Sequence, residues 1–161
     1  GVNLSKEGQK LALDLVRKHR LWEVFLFEKL GFKWDEIHDV AEQLEHIKSS
    51  ALVQKLDEFL DYPKFDPHGD PIPNQNGSFT FRHQTPLSNI KVKGTRVQIL
   101  GVKTSEANFL KYLEEIFIYP GKELAILDYT HFDKSMILQN EALNTITLSY
   151  NVSKEILVKT I

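Results

Sequence analysis

The stretch from Pro63 to Thr85 limits what this chain can fold into more than any other feature. Pro63, Pro67, Pro71 and Pro73 are interleaved there with Gly69, Asn74, Asn76 and Gly77. Neither helical nor strand periodicity survives so many fixed φ angles and missing N–H donors. A chain interrupted in this way must build a core on each side of the break. The expected organisation is one domain over residues 1–62, a linker over 63–85 and a second domain over 86–161.

Before the break the periodicity is helical. Leu11, Leu15, His19, Trp22, Leu26 and Leu30 recur three or four apart behind a candidate N-cap, Ser5, and Gly31 is placed to end that helix. Asp35 opens a second helix carrying Ile37, Val40, Ala41, Leu44 and Ile47, which Ser49-Ser50 interrupts. A third runs through Leu52, Leu56, Phe59 and Leu60 and stops before Tyr62-Pro63, because the residue ahead of proline is forced out of helical geometry. After the break come short β-type runs at 96–100, 123–127, 145–148 and 156–158, with one helix from Glu106 to Phe117. A parallel sheet would need repeated helical crossovers, so these runs predict a small, partly open barrel. The fold class is α+β, an all-helical domain followed by a β-barrel.

Composition narrows the function. A 42% hydrophobic content over 161 residues suffices for real cores, and 20 Lys+Arg against 22 Asp+Glu is not the basic balance of a chain that grips phosphate backbones alone. With no cysteine, disulfides and thiolate sites are excluded, and any metal must sit on nitrogen and oxygen. No apolar run approaches the roughly 20 residues that cross a bilayer, and the N-terminus lacks the features of a signal peptide. A cytoplasmic protein with no membrane partner is expected. Because the chain begins with Gly1 rather than Met, a processed product or a cloning remnant is expected there.

The chemistry gathers before the break. His38, Glu42, Glu45 and His46 lie within nine residues, where helical spacing puts them on one side or its flank, and His19 and Glu23 sit four apart on the preceding helix. Antiparallel packing of the two helices would join these six groups in one region. Such a mixed carboxylate and imidazole set suits manganese, ferrous iron, cobalt, nickel or zinc. The alternative for each pair is a solvated helix face, the usual fate of charged residues. Catalytic signatures are missing: Glu42 is followed three later by Glu45 instead of the His of di-iron bundles, and there is no zinc-protease helix, phosphate-binding glycine loop or nucleophile elbow. No enzymatic activity is expected.

At these residues a family resemblance emerges. Leu4-Ser5-Lys6-Glu7-Gly8, Arg17-Lys18-His19-Arg20-Leu21-Trp22-Glu23, the run from His38 to His46, and Asp66-Pro67-His68-Gly69-Asp70-Pro71-Ile72-Pro73 resemble, in order and spacing, the diphtheria-toxin-repressor and manganese-transport-regulator family. Pro86-Leu87-Ser88, Leu110-Lys111-Tyr112-Leu113 and Pro120-Gly121 are similar, more loosely, to that family's SH3-like domain, also found in ferrous transport proteins. The resemblance implies a metal-sensing, dimerising body of a repressor of metal-uptake genes, activated by Mn2+ or Fe2+. By the same resemblance Glu42, Glu45 and His46 match the primary site, while His19, Glu23 and His38 match the accessory site. Iron-type members carry cysteine at the position of Glu42, so the ligand set sides with manganese. Glu106, with Asn108 nearby, matches the SH3-like domain's contribution to the accessory site. The resemblance further implies a homodimer that reaches operator DNA only through a winged helix-turn-helix domain, which this chain lacks.

Other residues read plainly. His68 is expected as a turn residue, His83 and His131 as surface, and Trp22, Trp34, Phe25 and Phe27 as core or dimer seam. The competing function is a stand-alone metal-binding module whose SH3-like domain docks a partner protein.

Overall fold

The computed structural model describes residues 5–161. Leu4, with which the first motif begins, and Gly1 lie outside them. The chain divides into two compact units, residues 1–81 and 82–161.

In the first unit α1 spans Lys6–Glu28. The Ser5 hydroxyl caps it, accepting the Gly8 N–H at 3.1 Å. Gly31, at φ +69°, lies where the chain turns away, and the Phe32 N–H returns to the Leu26 carbonyl at 3.0 Å. α2 is shorter than its periodicity suggested, Ile37–Leu44. Glu45 and His46 fall in the turn behind it, and Ile47 lies outside the helix. Ser49 does not break α2 but caps α3, Ser50–Phe59, accepting the Leu52 N–H at 3.3 Å. Leu21, Val24 and Leu26 of α1, Trp34, Ile37 and Ala41 at α2, and Val53 and Leu56 of α3 form the core.

The proline-rich stretch is not a free connector over its first half. Asp66, Pro67, His68, Gly69, Ile72 and Pro73 are buried. Phe65 bridges Pro71, and the Ile72 N–H donates to the Lys64 carbonyl at 2.8 Å. Proline removed regular structure here without removing burial. Its lost backbone donors are replaced by turns and by arginine side chains from α1.

The second unit is an antiparallel sheet in the order β1-β6-β2-β3-β4-β5, with β1 Thr85–Pro86, β2 Arg96–Val102, β3 Glu123–Tyr129, β4 Met136–Asn140, β5 Thr145–Leu148 and β6 Ile156–Thr160. The sequence does not announce β4, because Met136-Ile137-Leu138 is a short apolar run without clear alternation. Register shifts between Ile99 and Gly101 and between Ile126 and Asp128 bend the long strands. α4, Ala107–Glu115, buries Leu110 and Leu113, and a one-turn helix, α5, Tyr150–Ser153, precedes β6. Val97, Ile99, Leu124, Ile126, Met136, Leu138, Leu148, Ile156 and Val158 are all buried in this sheet. Ile126→Ala should therefore cost about 2–5 kcal/mol, read as a lowered unfolding midpoint of the second unit. Among the described residues no helix is long and apolar enough to cross a membrane.

Candidate metal centre

The centre grows from α1. Helical spacing puts His19 and Glu23 on one face, and α2 lies against that face because Ile37 and Ala41 must be buried. His38, next to Ile37, is thereby carried to the same point. The His19 Nε2 atom lies 3.0 Å from Glu23 Oε1 and 3.1 Å from His38 Nδ1, and His38 Nδ1 lies 3.4 Å from the same Glu23 oxygen. Ligand atoms about 2.0–2.2 Å from one ion stand roughly 3–3.5 Å apart, so this spacing fits a shared metal. The other His19 nitrogen, Nδ1, meets Glu45 Oε2 at 2.6 Å. A carboxylate behind a ligating imidazole holds its orientation and raises its basicity.

A second group shares Glu23. The structure places Glu23, Asp66 and His68 so that one ligand atom of each lies within 4.8 Å of the others. His68 is in a turn, as expected, yet it is buried, with Nδ1 3.5 Å from Glu23 Oε1 and its ring stacked on Trp34 at 6.1 Å. Its Nε2 is buried without a hydrogen-bond partner. An unsatisfied buried imidazole nitrogen is costly, and a metal ion or an ordered water would relieve it. Sequence spacing could not reveal His68, because 45 positions separate it from Glu23.

Of the residues expected at the site, His19, Glu23, His38 and Glu45 come together. Glu42 and His46 are exposed, with no hydrogen bond or ion pair to another described residue. The early end of α2 explains part of this, since His46 no longer follows the helical face. Glu106 is exposed in the second unit, at the N-cap of α4, with Asn108 also exposed. His83 and His131 are at the surface, and Trp22 and Trp34 are core.

Charge is concentrated at Glu23. Burial opposes its ionisation, but hydrogen bonds from His19 and His68 outweigh that and hold it down to about 2. Burial likewise opposes protonation of His19 and His68, yet Glu23 raises both, with Glu45 helping at His19. Asp66 is pushed up to about 7, by burial first and by the Glu23 charge second. The signs give a pH profile for the metal-free protein. The contribution of Glu23 is fully present above 4.5 and lost as pH falls toward 2, while those of the two histidines are fully present below 6.5 and lost as pH rises through their raised values. Asp66, an acid with a raised value, favours the folded state at low pH and loses that contribution between 3.8 and about 7. Thermal melts in chelator should accordingly show the first unit less stable at about pH 8 than at about pH 5.5. A flat profile would contradict this charge arrangement.

Comparison with known proteins agrees with this architecture. Residues 5–74 match the family model described as iron dependent repressor, metal binding and dimerisation domain, and residues 85–160 match the FeoA domain. These two matches give a metal-binding and dimerisation domain followed by an SH3-like FeoA domain. The chain belongs to the diphtheria-toxin-repressor and manganese-transport-regulator family, which is non-enzymatic.

The solved structure of a manganese-dependent transcriptional repressor in complex with manganese is 32% identical, with a TM-score of 0.84 over 99% of this chain and 76% of that one. ScaR with bound Zn2+ is 38% identical, with a TM-score of 0.76 over 100% of this chain and 79% of that one. The iron-dependent repressor IdeR of Mycobacterium tuberculosis is 38% identical over 72 residues, which is 45% of this chain and 31% of that protein. A probable metal transport system membrane protein of Chlamydia trachomatis is 40% identical over 73 residues, 45% of this chain and 16% of that protein. The matches thus span about a third or less of these curated relatives.

Proposed function

We propose that this chain is the metal-sensing and dimerising part of a transcriptional repressor of metal homeostasis, with Mn2+ or Fe2+ as the physiological ion. The convergence of His19, His38 and His68 on one buried carboxylate oxygen of Glu23 is the observation that carries this reading. The donor set is nitrogen and oxygen only, which suits these ions and also admits Zn2+, Co2+ and Ni2+. His19, Glu23, His38 and Glu45 form the nucleus of the site. Glu42 and His46 join it only if further groups or a rearrangement bring them in, and Glu106 would be the second unit's contribution. The helical domain over 1–62 and the SH3-like domain over 86–161 remain the working division, with the stretch between them partly built into the first.

Exposed Leu11 and Leu15 on α1 and Leu52 and Phe59 on α3 support a homodimer, since large apolar groups outside a core are covered most simply by a second copy. Contact with operator DNA would come through a winged-helix domain, and dimerisation would set the spacing of its two recognition helices. The match to a probable metal transport system membrane protein favours one other reading, in which the same domain reports metal to a transporter. Metal sensing is common to both. The test is calorimetric titration of Mn2+, Fe2+ and Zn2+ into the wild-type chain and into a Glu42→Ala, His46→Ala double variant, with sedimentation for the dimer. Metal binding together with a dimer supports the proposal; wild-type protein that takes up none of the three ions defeats it. Retention of most affinity by the double variant is the expected result, because neither residue makes a hydrogen bond or ion pair to the nucleus.

A further inference from the structure

A polar cavity of about 430 Å³ opens in the first unit, and no residue of the metal centre lines it. Its floor is the Arg17–Asp57 pair, both side chains more than nine-tenths buried. Of the five N–H donors of a guanidinium, Arg17 uses one on the Pro73 carbonyl at 2.7 Å and one on Asp57 at 2.5 Å. One side of the mouth is a tight turn. Asn74 Oδ1 accepts the N–H groups of Asn76 and Ser78 at 2.9 and 3.0 Å, and the Asn74 N–H donates to the Ser78 carbonyl at 2.9 Å. Gly77 completes this turn at φ +78° and lies so close to α1 that a Cβ there would stand 2.9 Å from Leu13 Cδ1. On the other side Asp61 and Tyr62 are consecutive non-glycine residues at φ +57° and +55°. Such strained backbone collects at ligand clamps, and the Tyr62 N–H holds it here by donating to the Asp57 carbonyl at 2.9 Å.

Around this preformed frame the Lys64 amino group, the Gln75 and Asn76 amides and the Thr80 hydroxyl make no hydrogen bond or ion pair to another described residue. Arg17 and Lys64 against Asp57 leave the lining one net positive charge. That balances a carboxylate and not a phosphate monoester, which carries about −1.5 to −2. The volume falls in the range of small-molecule sites, roughly 300–1,000 Å³, so a bare inorganic anion would leave most of it to water. Amides and a hydroxyl both donate and accept, which suits ligand hydroxyl groups. We propose that this cavity binds a small hydroxylated organic anion of the sugar-acid type. Its carboxylate pairs with Lys64 above the Arg17–Asp57 floor, and its hydroxyls meet Gln75, Asn76 and Thr80.

The experiment is titration of gluconate into the isotope-labelled full chain, in chelator and at constant ionic strength, followed by amide chemical shifts. Acetate, glucose and inorganic phosphate are titrated alongside, and gluconate also into Lys64→Met and Lys48→Met. Both lysines are exposed, so neither change should disturb the fold, and Lys48 removes the same charge away from the cavity. Gluconate should give saturable shifts at Tyr62, Lys64 and residues 74–80. Lys64→Met should weaken it by at least about tenfold, the loss of one charge-assisted hydrogen bond, while Lys48→Met leaves it unchanged. Acetate lacks the hydroxyls and glucose the charge, so each should bind at least about tenfold more weakly than gluconate. Gluconate that gives no saturable shift, or that binds Lys64→Met as well as wild type, overturns the proposal. Acetate or phosphate binding as tightly as gluconate would mean an adventitious ion only, and equal affinity for glucose would remove the anion from the recognition; either result overturns it too.

Discussion

Arg17→Ala will destabilise the first unit by about 3–5 kcal/mol, the cost expected when one partner of a buried ion pair is removed. Arg17 and Asp57 are both buried, and Arg17 Nη2 meets Asp57 Oδ2 at 2.5 Å. Removing the guanidinium leaves the buried Asp57 carboxylate with its charge uncompensated. It also orphans the Pro73 carbonyl, which accepts from Arg17 Nη1. The pair joins α1, α3 and the proline-rich segment, so the loss is not confined to one contact. Chemical denaturation followed by circular dichroism should show the lower midpoint, with Asp57→Ala similarly damaging. A loss below about 1 kcal/mol would mean the pair behaves as a surface salt bridge.

The second large effect concerns Glu23, which all three histidines of the centre approach at one oxygen. Glu23→Gln should reduce Mn2+ and Zn2+ affinity by at least about 100-fold, because a neutral amide is a weak ligand and the buried negative charge that attracts the ion is lost. Without that carboxylate, His19 and His68 also lose the interaction that raises their protonation, so the variant's stability should decline less between about pH 6 and pH 8 than the wild type's. Calorimetry and melts over that range test both points. Unchanged metal binding would move the site away from Glu23, toward Glu42 and His46.

Much of the fold was legible along the chain. Ser5 as a cap, the apolar spacing of α1 and α3, and four of the strands each depend on neighbours within a few residues. The misses share a cause. α2 stops at Leu44 although its pattern continues to Ile47, because the chain must turn to begin α3 and Ser49 is used as that helix's cap. β4 carries little alternation because its identity comes from pairing with β3 and β5 on both sides.

The candidate centre divides in the same way. Residue types and helical spacing determined by themselves that His19 and Glu23 share a face, that His38 follows on the next helix, and that any metal must be held by nitrogen and oxygen. Only the tertiary structure decided that Glu23 is the buried hub, that Glu42 and His46 face solvent, and that His68 returns from the proline-rich segment to the same carboxylate. Local sequence encodes the direction of a side chain through the backbone period. Which distant groups it meets depends on how apolar faces bury one another and on the arginines that fasten the irregular segment to α1.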